Sequence, residues 1–258
     1  MRDSGPPLFW PVTWGSVALL AFFLAWRLLS LDSLTGWVVE DGFFENATAI
    51  LYGAAAVLFL MIARRPLPLA ASSQRFAQIF LVIGAVGVFV IMGEEISWGQ
   101  RIFGFSTPPE LAAANLQDEF NFHNLEFIQT HLGHSQTSVV KANAFSLLLA
   151  LVGVALPLAA ATPWGRSLIQ RFGVPVVPAC YVVLFAGALL FGKYARADWE
   201  HRTPKEIREF LWGLGVFLFA LHGLRRPWDL FRLPEPADST ERLATVSAAR
   251  GEASRRAS

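Results

Sequence analysis

Cysteine is almost missing from this chain: one residue, Cys180, in 258. A single thiol excludes an intrachain disulfide and any cysteine-built zinc or iron–sulfur site. Charge is scarce as well, at 16% of residues, where soluble domains carry about 25%. The signs nearly cancel, 21 basic against 20 acidic, which excludes a strongly basic nucleic-acid binder. The polar composition of a disordered chain is also absent, because 54% of the residues are hydrophobic. What remains is an integral membrane protein.

A helix needs about 20 mostly apolar residues to cross about 30 Å of hydrocarbon. Six stretches meet or approach that length: Trp10 to Leu31, Phe44 to Ala63, Phe76 to Met92, Ala142 to Ala161, Val174 to Phe191, and Phe210 to Leu224. The last gains a turn upstream, because Thr203-Pro204-Lys205-Glu206 reads as an N-cap, a first-position proline and a capping-box glutamate. The first reads as a retained helix and not a secretory signal, since it lacks a small-x-small cleavage site and ends in Trp26-Arg27. With the N-terminus inside, the inner segments hold 13 of the 21 basic residues but only 6 of the 20 acidic ones.

The expected fold is therefore all-α: a polytopic membrane helix bundle in the inner (plasma) membrane, with six transmembrane helices and cytoplasmic N- and C-termini. Residues 1–232 form a single transmembrane domain. Residues 233–258 are polar and without apolar periodicity, and are expected to be a disordered cytoplasmic tail. The inner loops read as short. The outer loop 93–141 is long and partly helical, with a helix start at Thr107-Pro108-Pro109-Glu110. Its cluster Phe120, Phe122, Leu125, Phe127, Ile128 and Leu132 reads as a segment resting in the interface.

Certain polar residues look expensive where they stand. Glu94 and Glu95 follow the apolar run of the third span, where an acid at membrane depth costs roughly 2.5–3.5 kcal/mol. They also lie at a helix C-terminus, which disfavours negative charge. A pair retained against both costs points to a partner: Arg101, a cation, a proton or a buried histidine. Glu45 lies within the apolar second span, either as first-turn dipole compensation or as part of a site. His131 and His134 are spaced to share a helical face, with His123 upstream. With Glu95 these three are the candidate ligands of a divalent metal such as zinc, although no HExxH pattern is present and the plain alternative is an interfacial histidine. Glu209 lies one turn deeper than the capping Glu206, and His222 at the inner end reads as structural. Glu45, Glu94, Glu95, His123, Glu209 and Asp198 come from separate segments yet map to one level, where they are expected to converge on a cavity open to the outer face.

The run Gly93-Glu94-Glu95-Ile96-Ser97-Trp98-Gly99-Gln100-Arg101-Ile102-Phe103-Gly104 resembles a signature found in a family of uncharacterised bacterial multi-pass membrane proteins. Ser106-Thr107-Pro108, Asn115-Leu116-Gln117, Asn121-Phe122-His123-Asn124-Leu125 and Glu40-Asp41-Gly42 are similar to the same family's other elements. The resemblance implies a common motif set containing Glu94, Glu95, Arg101 and His123, and it implies no activity. Membrane hydrolases of the ceramidase and adiponectin-receptor type offer only an analogy of chemistry, because this chain lacks an HxxxH span and has six spans where those have seven.

These residues point to an enzyme, a hydrolase or transferase, acting on a lipid or lipid-linked substrate at the extracytoplasmic face. Glu94 and Glu95 would act as acid/base or as ligands, His123 as base or ligand, and Arg101 as anion or carboxylate partner, with Glu45 beside them. The rival readings are a proton- or cation-coupled transporter and a non-catalytic accessory membrane subunit.

Overall fold

The computed structural model describes residues 9–29, 42–122, 124–128, 144–194 and 203–231. Apolar runs become helices in every described part of the chain: α1 (Phe9–Leu29), α2 (Phe43–Ala63) and α3 (Ala71–Glu95), then two short ones, α4 (Gln100–Phe103) and α5 (Pro109–Ala114). A longer helix, α6, joins Ala144–Ala150, Leu151–Ala155 and Leu156–Ala160 end to end. It is followed by α7 (Pro163–Phe172), α8 (Ala179–Tyr194) and α9 (Thr203–Arg225). The described residues contain no strand, only one isolated bridge between Asn115 and Leu125.

Three of these helices, α2, α3 and α9, are long and apolar enough to cross a membrane. A fourth span arises if α6 and the sharply bent α7 are taken as one. Helices α1 and α8 are apolar but shorter over their described faces. The start of α9 at Thr203 agrees with the Thr-Pro-Lys-Glu signal, which places Glu206 and Glu209 in its first two turns.

Helix α2 is the centre of the packing, between α3 and α9, while α8 joins α9 to α1. Phe23, Phe44 and Phe210 meet edge to face where α1 ends and α2 and α9 begin. Small residues let the backbones close up, as they do where lipid leaves helices no hydrophobic gain from meeting. The Phe185 ring of α8 fits between Gly153 of α6 and Gly215 of α9; a Cβ would lie 2.3 Å and 3.0 Å from it, respectively.

At the end of the bundle away from Glu95, Asp229 Oδ2 lies 3.0 Å from His222 Nε2, and His222 Nδ1 lies 3.2 Å from the Tyr181 hydroxyl. His222 thus ties α9 to α8 and to the turn Pro227–Leu230, in keeping with its structural reading.

Two local features depart from expectation. The middle of α6 widens into a π-helical turn over Leu151–Ala155. Pro157 has no N–H for the carbonyl of Gly153, and its ring would collide there in a regular helix, so the wider turn relieves the clash. The short loop expected after it is instead the amphipathic helix α7. Thr162 caps it, its Oγ1 accepting from Gly165 N at 3.1 Å, with Pro163 in the first turn. Gly173 ends it in the left-handed region at φ +60°.

Candidate functional site

The chain leaves α3 in an unusual way. Ser97, Trp98 and Gly99 all have positive φ, at +46°, +53° and +78°. A left-handed conformation costs a non-glycine residue about 1–2 kcal/mol, so this turn persists only because side chains hold it. The Trp98 ring covers Gly93, where a Cβ would lie 2.9 Å from its carbons. Its Nε1 donates to Glu94 Oε1 at 2.7 Å, and Phe122 N donates to Glu94 Oε2 at 2.8 Å. Glu94 therefore fastens the helix end to the returning loop.

Glu119 does the same from the other side. It accepts from Ser97 Oγ at 2.8 Å and Asn121 Nδ2 at 2.6 Å, and it is ion-paired with Arg101. Gln100 accepts from Phe120 N at 2.7 Å and donates to Thr107 Oγ1 at 2.9 Å. Thr107, expected to cap a helix, instead donates to Asp118 O at 2.7 Å, and α5 starts at Pro109 without a side-chain cap. Asn121, only 1% exposed, accepts through Oδ1 from Asn115 Nδ2 at 3.0 Å and Asn124 N at 3.3 Å. In this structure the residues of the signature thus form a hydrogen-bonded clasp over the end of the bundle. The partner of Arg101 within it is Glu119, from the returning loop, and not the Glu94–Glu95 pair considered as its bland partner.

Glu95 takes no part in the clasp. Its partly buried carboxylate shares an electrostatic environment with Glu209, Lys205 and Glu206 of α9 and with Glu45 of α2. Tyr52, buried two turns below Glu45, interacts with Glu95, Glu209 and Arg208. Glu209 is 6% exposed; its Oε1 accepts from Arg208 Nη2 at 3.2 Å, and its Oε2 lies 3.8 Å from Lys205 Nζ. The buried Arg208 guanidinium stands 4.9 Å from the centre of the Trp212 ring, a cation–π contact. Both oxygens of Glu209 are therefore committed to cations, whereas no hydrogen bond or ion pair engages Glu95 among the described residues.

Of the residues expected to converge, Glu45, Glu95 and Glu209 meet in one cluster. Glu94 and Arg101 stand apart from it in the clasp. His123, His131, His134 and Asp198 lie outside the described residues. Among the described residues no three His, Cys, Asp or Glu side chains are placed to hold a metal ion. The sequence-derived metal set is thus represented here by Glu95 alone. Tyr52 and Arg208 were not singled out from the sequence. Tyr52 had a signal, since it follows Glu45 by seven residues and so shares its helix face; Arg208 had only its adjacency to Glu209. No family model, curated protein or solved structure matches the chain.

Proposed function

We propose that the chain is a six-span protein of the inner membrane with both termini in the cytoplasm, and that it acts as an acid–base enzyme, a hydrolase or transferase, on a lipid or lipid-linked substrate at the outer face. The observation carrying this reading is the contrast between two neighbouring carboxylates. Glu209 is held by Arg208 and Lys205, while Glu95 stands partly exposed beside it with no bond to hold it. Close carboxylates in unlike surroundings are suited to unlike roles. Glu95 is the one available to take a proton from a water or hydroxyl nucleophile and return it to a leaving group. Ile102, Phe103, Phe122 and Phe127 lie exposed around the clasp and offer an apolar approach from the bilayer.

The test is to reconstitute the protein in nanodiscs with a bacterial lipid extract and follow lipid species by mass spectrometry. Turnover of a species by the wild type, reduced by at least about 100-fold in Glu95→Gln, is the expected result. Equal turnover by the folded variant would overturn the reading. Proton movement coupled to a solute gradient, with no lipid turned over and lost in Glu95→Gln, would make the chain a carrier instead. Glu94→Gln is expected to report on the fold. It loses one of two bonds to a charged acceptor at a partly wet site, about 1.5 kcal/mol, seen as a lower melting temperature in mild detergent.

A further inference from the structure

Helix α7 is the element that the site does not use. It leaves α6 at 115°, 25° past perpendicular to a helix that passes as part of a membrane span. Gly165 and Ile169 bury one face against Ala160 and Val176. The neighbouring face is a stripe at four-residue spacing, Trp164, Leu168 and Phe172, exposed at 76%, 43% and 38%. Arg166 and Arg171 flank that stripe. Arg166 Nε is buried without a hydrogen-bond partner in the structure. The first turns of α3 stand alongside: Ser73 Oγ donates to Arg171 O at 3.2 Å, Phe76 meets Phe172 edge to face, and exposed Arg75 adds a third cation. Arg64 and Arg65 lie exposed in the preceding turn, and Asp229, at 3.0 Å from His222, is the one acid at this end among the described residues.

We propose that α7 is an interfacial anchor whose occupant is the anionic phospholipid of the adjoining leaflet. The Trp164–Leu168–Phe172 stripe enters the boundary between headgroups and acyl chains, and Arg166, Arg171 and Arg75 take the phosphates. Three observations agree on this occupant. The helix lies close to the plane of a bilayer crossed by its neighbours, its open face carries an indole suited to that boundary, and the surrounding charge is positive and nearly unopposed. The proposal rests on the chain being in a membrane and is independent of any chemistry at Glu95.

The experiment uses Leu168→Cys in a Cys180→Ser background, spin-labelled and reconstituted in phosphatidylcholine nanodiscs with and without phosphatidylglycerol. Power saturation should find the label accessible to oxygen and shielded from a water-soluble nickel chelate. Native mass spectrometry of the unlabelled protein should show phosphatidylglycerol retained over phosphatidylcholine. That preference should fall about fivefold for each of Arg166→Gln and Arg171→Gln. A label open to the chelate in the anionic bilayer would overturn the proposal. So would a lipid preference unmoved by the two substitutions, or shielding that appears only when the protein dimerises. The labelled protein keeps both arginines, so its depth reading stands even where an arginine variant fails to fold.

Discussion

Asn121→Leu is expected to open the clasp over residues 97–122 while leaving the helix bundle folded. Asn121 is 1% exposed and serves four side-chain contacts: Ser97 Oγ, Glu119 Oε2, Asn115 Nδ2 and Asn124 N. Leucine has a similar volume and none of that bonding capacity. Each buried group left without its partner costs about 1–3 kcal/mol, and the left-handed turn at Ser97 and Trp98 adds strain that the remaining bonds must hold. The expected loss is several times that of a typical surface change. Hydrogen exchange should show amides of the clasp exchanging at least about 100-fold faster, with α2 and α9 unchanged. Unaltered exchange in the clasp would show that Asn121 does not hold it.

Gly173→Ala should lower global stability. Gly173 sits at φ +60°, and a Cβ there would stand 2.4 Å from the Ser73 carbonyl oxygen, which belongs to the first turns of α3. The left-handed cost is about 1–2 kcal/mol, and forcing a methyl into a packed contact adds roughly 1–3 kcal/mol. The obstacle is backbone, so no side-chain rotation relieves it. Gly104 isolates the two effects: its φ is +68°, with nothing within 4 Å of a Cβ. Gly104→Ala should therefore show the conformational cost alone. A melting temperature for Gly173→Ala well below that of Gly104→Ala is the expected outcome; equal melting temperatures would mean that α7 does not rest on α3.

Much of the helical layout was legible because it depends on short-range signals. Apolar runs located α2 and α3 to within a few residues, and Thr203-Pro204 marked the start of α9. Helix α7 was written just as plainly, in Thr162-Pro163 and Gly173, but its ten residues and its arginines resemble a loop when only spans are sought. The division of labour between Glu94 and Glu95 could not be read. It depends on three successive left-handed residues after α3 and on a loop that brings Glu119 back to Arg101 from eighteen positions on. Neither has a local signature. Glu45, Glu95 and Glu209 could be placed at one level by counting turns, whereas the engagement of Glu209 by Arg208 and Lys205 needed the packing of α9 against α2 and α3.

The widened turn at Leu151–Ala155 sets the phase of everything that follows it. Each helical residue turns the chain by about 100°, so the slack in that turn decides which way Ala160 and the bend beyond it point. Shortening the segment by one position would restore a regular spiral only by swinging the Trp164 stripe about a quarter-circle away from its present azimuth. The proline that looks like a defect in mid-helix thus acts as the aiming device for the chain's flattest helix.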